Sequence, residues 1–277
     1  MRISTRLALP IVALCVFALS GTASAARLPL PHRAVYDLAL VKASERSGIS
    51  GVTGRMIYEF NGSVCLGYTT NTRIVTRIDS DTAGGLTDQQ MTTFEDADSK
   101  SFSFMTKTYV DQALQKEVRG TAKREGQNVT VRLEKPEQQD FDIGPTQFPT
   151  QHILDLVNRA DAGETFYETR QFDGADDGVK AMTTSILIGK NAQIDQKDPE
   201  VPALAKLARG RIWPIEMAYF DDSGKGGEEM PQMRLSFKLH ETGITRDLAM
   251  DYGDFSLSGK LVKLEVLEMK SGICNKQ

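Results

Sequence analysis

The chain has few of the residues that usually carry catalysis or bind a metal. Its 277 residues include three histidines, three cysteines and one tryptophan. No Cys-x-x-Cys or His-x-Glu spacing occurs, so a zinc site is not expected. No Gly-x-Ser-x-Gly elbow is present to expose a nucleophilic serine. The sequence therefore predicts a non-enzymatic protein with no catalytic residue, no metal and no cofactor.

The chain also lacks an excess of positive charge. It has 33 lysines and arginines against 37 aspartates and glutamates, which gives a net charge of −4. Arg2 and Arg6 fall in a segment that is predicted below to be removed, which makes the remainder more acidic. Binding to nucleic acid or to an anionic membrane surface needs basic patches. We therefore expect neither of these partners.

Only residues 7–20 form a long apolar run. The two arginines precede this run, and residues 23–25 (Ala-Ser-Ala) follow it as a small-residue cleavage sequence. About fourteen apolar residues are too few to span a bilayer comfortably. The pattern predicts a secretory signal peptide over residues 1–25 and an exported mature protein over residues 26–277. An uncleaved N-terminal anchor is the alternative.

Removal of the signal peptide would take Cys15 with it and leave Cys65 and Cys274. An even number of cysteines in an exported protein favours one disulfide, and two free buried thiols are the alternative. A loop of this length would stabilise the fold by about 4–5 kcal/mol in the chain-entropy model. Because Cys65 comes early and Cys274 lies past the last strand, we expect the bond to hold the two ends of a long open sheet together.

Most of the mature chain alternates apolar and polar residues with the two-residue period of half-buried strands. Residues 56–60, 74–78, 129–133, 235–239 and 262–266 show the pattern most clearly. Asn-Gly, Gly-Gly and Asp-Gly turn sequences separate the runs. The pattern predicts an all-β fold of about thirteen or fourteen antiparallel strands in a single domain.

One helix interrupts the strands. Pro149 and Thr150 are typical of a helix start, residues 153–157 carry an apolar stripe, and Gly163 is placed to end the helix. A weaker helical pattern covers residues 202–209. A helix beside so many strands could fill the interior of a barrel-like sheet.

Aromatic residues on the predicted strands have two readings. One is ordinary core, and the other is the wall of an apolar cavity between sheet and helix that holds an acyl chain. His152 in the first turn of the helix could face the same interior, as could the aromatic candidates. Arg73 and Arg77 could supply polar groups at the mouth of the cavity. The aromatic candidates are Phe102, Phe104, Trp213, Tyr219 and Phe237.

Several segments together resemble the EipB family of periplasmic cell-envelope integrity proteins. They cover nearly all of the mature chain, and the paired cysteines are the most specific among them. The segments are residues 32–38, 65–73, 148–152, 172–178, 213–214 and 248–255, with Cys274 near the end.

The resemblance implies a β-spiral, which is a long antiparallel sheet of about fourteen strands curved into an incompletely closed barrel around a central helix. It also implies a disulfide between Cys65 and Cys274, a periplasmic location, a role in envelope integrity and stress resistance, and no enzymatic activity. A periplasmic tetratricopeptide-repeat protein is the implied partner. The shape is similar to that of periplasmic lipoprotein carriers, so carriage of a lipid or lipoprotein is the alternative function.

Overall fold

The computed structural model describes residues 29–80, 84–175, 177–221 and 230–268. The predicted signal peptide over residues 1–25 and Cys274 therefore lie outside the described residues. The described chain is dominated by antiparallel strands, as the alternation predicts. These are β1 His32–Ala43, β2 Ile49–Ser63, β3 Gly67–Ser80, β4 Gly85–Glu95, β5 Ser101–Val110, β6 Ala113–Glu125, β7 Asn128–Lys135, β8 Gln139–Asp142, β9 Phe166–Gln171, β10 Met182–Ile188, β11 Ala192–Gln193, β12 Arg211–Phe220, β13 Met233–His240, β14 Thr245–Asp251 and β15 Phe255–Val266.

The main helix, α1, spans Pro149–Ala162 and confirms the predicted helix. Proline stands in its first turn, where the missing N–H costs nothing. Gly163 ends it with a left-handed φ of 81°, which a residue without Cβ adopts readily. The weaker helical pattern gives only the single-turn helix α2, Val201–Leu204, followed by a 3-10 turn at Ala205–Leu207. A second 3-10 turn lies at Glu45–Ser47.

The strands form one sheet in which the two ends of the chain meet in the middle. Its order is β8-β7-β6-β5-β4-β3-β2-β1-β15-β14-β13-β12-β10-β9, and β11 pairs with β12 beside this path. The first and last strands are antiparallel neighbours along most of their length, from His32 opposite Val266 to Ala43 opposite Phe255. The ends of the sheet are β8 and β9, which both come from the middle of the sequence.

This order corrects the expectation that a disulfide would hold the two ends of the sheet together. Cys65 lies in the turn between β2 and β3, next to the centre of the strand order and far from β8 and β9. Backbone hydrogen bonds already join β1 to β15. A bond from Cys65 would tie a turn to the segment after β15. The disulfide itself stays a prediction, because Cys274 is not among the described residues.

The connection between β8 and α1 lies across the gap between the two ends of the sheet. At one side, the N–H of Ile143 donates to the carbonyl of Val129 at 3.0 Å. At the other side, the N–H of Gln147 donates to the carbonyl of Arg170 at 2.8 Å, and the N–H of Phe172 donates to the carbonyl of Gln147 at 3.0 Å. A single parallel bridge between Gln147 and Gln171 results. The barrel is therefore incompletely closed, with an irregular segment at the seam.

A buried carboxylate takes the place of backbone hydrogen bonds where β14 and β15 part. Their pairing runs between Leu248–Asp251 and Ser256–Gly259. Beyond it, Oε1 of Glu200 accepts from the N–H of Asp247 at 3.2 Å and from the N–H of Leu261 at 2.6 Å. Oε2 of Glu200 accepts from Nη1 of the buried Arg246 at 3.0 Å. The segment that contains α2 is thereby fixed against the sheet.

The described residues form two apolar cores inside the barrel. The larger one joins Leu156, Val157 and Ala160 of α1 to residues of β1, β10 and β12–β15, among them Tyr36 and Trp213. The smaller one lies under β5, β6 and β7 and is built mainly from phenylalanine and valine. The helix therefore packs on the concave face of the sheet, and its position decides how much interior space is filled.

Candidate apolar cavity between the helix and the sheet

The N-terminus of α1 is fixed by a carboxylate from the sheet. The residue before the helix, Phe148, offers no side-chain cap. Instead, Glu95 at the end of β4 accepts hydrogen bonds from the N–H of Thr150 at 2.7 Å and from the N–H of Gln151 at 3.1 Å. The hydroxyl of Ser99 donates to the same carboxylate at 2.7 Å. Glu95 is almost fully buried, and this burial raises its pKa.

A cavity of about 370 Å³ lies between α1 and the inner face of the sheet. This volume is at the lower end of the range of about 300–1,000 Å³ for small-molecule pockets. Side chains from β1 to β4, from α1 and from β12 to β14 converge on it. Its apolar wall consists of Tyr36, Met56, Tyr58, Phe60, Met91, Pro149, Ile153, Leu156, Phe172, Met217, Tyr219, Leu235, Phe237, Leu248 and Met250.

The side chains that line the cavity differ in their burial. Leu156 of α1 and Phe237 of β13 line the cavity and are buried. Met56, Met91 and Met250 line the cavity but are only half-buried. Methionine is unbranched and polarizable, so it adapts to irregular apolar partners. The cavity wall can therefore adapt its shape to an irregular apolar molecule.

Three tyrosines place hydroxyl groups in this apolar wall. The hydroxyl of Tyr36 donates to the carbonyl of Thr245 at 2.7 Å. Tyr58 is hydrogen-bonded to Thr70, and burial raises its pKa to about 12. Burial also raises the pKa of Tyr219, whose hydroxyl donates only weakly, at 3.5 Å, to the sulfur of Met217. These hydroxyls are therefore neutral donors across the physiological pH range.

His152 contributes an uncharged imidazole to the wall. Its Nδ1 lies 3.2 Å from Oε1 of Gln147, and its Nε2 lies 3.1 Å from Nε2 of Gln171. The first contact requires a proton on Nδ1, and the second requires a lone pair on Nε2 that accepts from the amide. Burial lowers the pKa of His152 to about 4, and the nearby Asp155 only partly opposes the effect. At neutral pH the side chain is a neutral, doubly hydrogen-bonded group.

The residues selected from the sequence fall in different places. His152, Tyr219 and Phe237 line the cavity. Trp213 lies in the larger core with the Arg211 guanidinium over its ring, at 5.1 Å from the ring centroid. It is not among the residues that line the cavity in the described part of the chain. Met217 and Tyr219, which point to the same face of β12 as Trp213 but lie nearer its C-terminal end, do line the cavity.

Phe102 and Phe104 belong to the smaller core instead of the cavity wall. The Phe102 ring stacks on Phe148 at 5.2 Å between centroids, and the Phe104 ring meets Phe172 edge-on at 5.5 Å. Both phenylalanines of β5 are almost fully buried. They face inward as the alternation predicts, but they lie under a part of the curved sheet that the loops around α1 fill.

The prediction that Arg73 and Arg77 supply polar groups at the mouth is wrong. Thr72 of β3 lines the cavity, so the odd-numbered neighbours on the same strand point to the outer face. Arg73 is more than half exposed and pairs with Asp88 at 2.8 Å on that face. Because side chains alternate between the two faces of β3, both arginines lie on the outer face of the sheet, away from the cavity.

The cavity methionines were missed at the sequence level. Met56 lies in a predicted strand, and Met91, Met217 and Met250 lie in further strands. Aromatic residues are the more usual marker of an apolar wall, because they have larger apolar surfaces. Methionines at inward positions of four different strands could have indicated the cavity wall. This residue type is frequent at adaptable binding surfaces.

Two further observations bear on the chemistry. Within the described ranges, no group of three or more histidine, cysteine, aspartate or glutamate side chains is arranged to hold a metal ion. In the same part of the chain, no helix has both the length and the apolar character needed to cross a bilayer.

The outer face carries an exposed apolar pair near the β9 end of the sheet. Phe166 of β9 and Leu187 of β10 are direct cross-strand partners, and each is more than half exposed. They border a shallow groove with Pro214 and the ion pair between Lys238 and Asp247, whose atoms are 2.8 Å apart. An apolar pair beside an edge strand is a feature of protein-binding surfaces.

Comparison with known proteins gives a consistent result. A family model described as EipB-like matches residues 22–268, which include all the strands and helices described above. The protein named cell envelope integrity protein EipB from Brucella abortus (strain 2308) is 51% identical over 250 residues, or 90% of this chain and 88% of that protein. A crystal structure of a beta-barrel-like protein of unknown function from Brucella abortus matches with a TM-score of 0.83 and 51% identity, over 88% of this chain and 100% of that one.

Proposed function

Because the chain belongs to the EipB-like family, we propose that it supports cell-envelope integrity as a non-enzymatic periplasmic protein. We further propose that it does so by holding one acyl chain of an envelope lipid or lipoprotein in the cavity between α1 and the sheet. The cavity is the observation that carries the proposal. The name of the Brucella relative supports the envelope role, and the predicted signal peptide supports the location.

The size and the wall of the cavity both support a single chain. A space of about 370 Å³ corresponds to roughly a dozen water molecules of liquid volume at about 30 Å³ each. Its wall is mainly apolar and offers few groups that could hold so many waters. Filling it with an apolar chain would remove water from both surfaces, at about 25 cal/mol for each Å² buried.

A pair of tryptophan variants tests this proposal. Met91 of β4 lines the cavity, whereas Met105 of the neighbouring strand β5 lies on the outer face, opposite Thr92. Both methionines are half-buried. Met91→Trp fills the cavity, and Met105→Trp adds the same ring outside it. Binding is followed with the neutral dye N-phenyl-1-naphthylamine, which becomes fluorescent in an apolar environment.

We expect saturable dye binding by the unmodified protein and by Met105→Trp, and a loss of at least about tenfold in affinity for Met91→Trp. Dodecanoyl glycerol should displace the dye from the first two proteins. Thermal melting of both variants shows whether each is folded. Equal dye binding by all three folded proteins would contradict the cavity as the binding site, and no saturable binding by any of them would contradict chain binding altogether.

A second candidate function is binding of a periplasmic tetratricopeptide-repeat protein. The exposed pair of Phe166 and Leu187 beside the edge strand favours it. Leu187→Asp should abolish co-purification with a tagged repeat protein from the same envelope. Val262→Asp, on the outer face of the central strand β15 and similarly exposed, should leave it unchanged. Co-purification that survives Leu187→Asp would exclude this surface.

A further inference from the structure

Of the four methionines that line the cavity in the described part of the chain, three are partly exposed to solvent. Met56, Met91 and Met250 are half-buried, whereas Met217 is only 3% exposed. The sulfur of Met217 also accepts a hydrogen bond from the hydroxyl of Tyr219 at 3.5 Å. Peroxides oxidise a thioether that they can reach from solution. The cavity wall is therefore built in part from groups that a dissolved oxidant can modify.

Oxidation changes the polarity of such a side chain and leaves the polypeptide intact. The thioether sulfur takes one oxygen atom from a peroxide, the O–O bond breaks, and hydrogen peroxide is reduced to water. The product, methionine sulfoxide, is polar, and methionine sulfoxide reductases return it to methionine. A polar group that must lie against an apolar ligand without a hydrogen-bond partner is unfavourable. Oxidation of these sulfurs would therefore weaken the binding of an acyl chain.

The cross-strand neighbours of two of these methionines belong to the same wall. Met91 of β4 lies directly opposite Thr72 of β3, and Met56 of β2 lies directly opposite Tyr36 of β1. Both neighbours also line the cavity. Side chains of directly opposite residues interact across the strands, and a threonine hydroxyl can donate to a sulfoxide oxygen. Oxidised Met91 can therefore be held in the cavity wall by Thr72.

Resting on the proposed function, we propose that oxidation of Met56, Met91 and Met250 by peroxides controls acyl-chain binding. Their thioether forms hold the chain, and their sulfoxide forms release it. Reduction of the sulfoxides restores binding. Met217 remains a thioether because its side chain is buried. The cavity thereby couples the retention of an acyl chain to the presence of peroxides in the surroundings.

Treatment of the full mature protein with hydrogen peroxide tests this, with catalase added to remove the peroxide before N-phenyl-1-naphthylamine is titrated. Peptide mass spectrometry measures the gain of oxygen at each methionine, and Met230, which is 80% exposed, shows when an open site is fully oxidised. We expect oxygen gain at the three half-buried cavity methionines and none at Met217. Dye binding should weaken at least about tenfold on oxidation. Methionine sulfoxide reductases should restore it.

Two variants separate the cavity methionines from the others. One combines Met56→Leu, Met91→Leu and Met250→Leu, because leucine is apolar, similar in volume and not converted to a sulfoxide. The other is Met105→Leu, at the half-buried methionine on the outer face of β5. Each variant is compared with itself before and after peroxide, and thermal melting shows whether it is folded. The affinity of the triple variant should change by less than about twofold, whereas Met105→Leu should lose at least about tenfold, as the unmodified protein does.

The possible failures are distinguishable. Unchanged dye binding by unmodified protein with all three methionines oxidised would overturn the control by oxidation and leave the proposed function standing. An equal loss of binding in the triple variant would also overturn it, as would full oxidation of Met230 with no oxygen gain at the three sites. If the triple variant does not fold, binding that fails to return after enzymatic reduction of the unmodified protein overturns it. Absence of saturable dye binding before peroxide is added would overturn the proposed function itself.

Discussion

Acidification is expected to destabilise the protein through His152 before any ordinary carboxylate titrates. The folded-state pKa of His152 is about 4, against 6.5 for an ordinary histidine. Because the folded value is the lower one, the unfolded chain takes up a proton in this range and the folded protein does not. The contribution of His152 to the free energy of unfolding is fully present above pH 6.5 and falls as the pH drops from 6.5 to 4. Below pH 4 this group causes no further loss.

The size of the effect follows from the shift. A difference of about 2.5 pKa units corresponds to about 3 kcal/mol at 1.36 kcal/mol per unit. The physical cause is burial of the ring, which the charge of the nearby Asp155 only partly opposes. His32 at the start of β1 adds to the loss in the same direction, since burial lowers its pKa as well.

Urea unfolding at pH 7.5, 6.5, 5.5 and 4.5 measures this, with far-ultraviolet circular dichroism as the readout. The unmodified protein should lose about 2.5 kcal/mol more than His152→Gln between pH 7.5 and 4.5, because the last part of the effect lies below pH 4.5. His152→Gln is itself expected to be less stable than the unmodified protein at pH 7.5. The quantity to compare is therefore the change in the free energy of unfolding with pH in each protein. Parallel curves for the two proteins would refute the assignment of the loss to His152.

Three further predictions concern the supports of the cavity and of the fold. Glu95→Ala should lower the free energy of unfolding by about 1–2 kcal/mol because α1 loses its cap. Asp98→Ala, at a nearby exposed site, should change it by less than about 0.5 kcal/mol. Equal effects of the two variants in urea unfolding would contradict the role of Glu95 as a cap. Glu200→Ala should lower the free energy of unfolding by about 3–5 kcal/mol, since it leaves the buried Arg246 with only part of its ion pairing. The double variant with Arg246→Met should recover part of this loss. Additive losses from the two changes would contradict an energetic coupling between Glu200 and Arg246. Cys274→Ser should lower the melting temperature by several degrees under oxidising conditions with little change in secondary structure, and an unchanged melting temperature would contradict the predicted disulfide.

The sheet and the helix were predictable from local patterns, but the order of the strands was not. The alternation of residues 56–60 shows which side chains share a face, and it carries no information about the neighbouring strand. The pairing of His32 with Val266 joins residues from opposite ends of the chain. This pairing decides that the open ends are β8 and β9, and it removes the reason to place a disulfide across the sheet ends.

The cavity was predictable only in part for a related reason. Phe104 and Phe237 have the same inward alternation, yet one packs in a filled core and the other borders empty space. The difference depends on where α1 lies along the curved sheet. The contact of Glu95 with the helix N-terminus contributes to that position. It joins residues 55 positions apart and leaves no local signal in the sequence.

Native mass spectrometry of the protein, purified from its own host without detergent, tests chain binding in the cavity most directly. We expect a population that carries one acyl-bearing molecule per chain, and a loss of this population in Met91→Trp but not in Met105→Trp. A spectrum that shows only the mass of the unliganded chain in the unmodified protein, with an intact fold, would contradict the account.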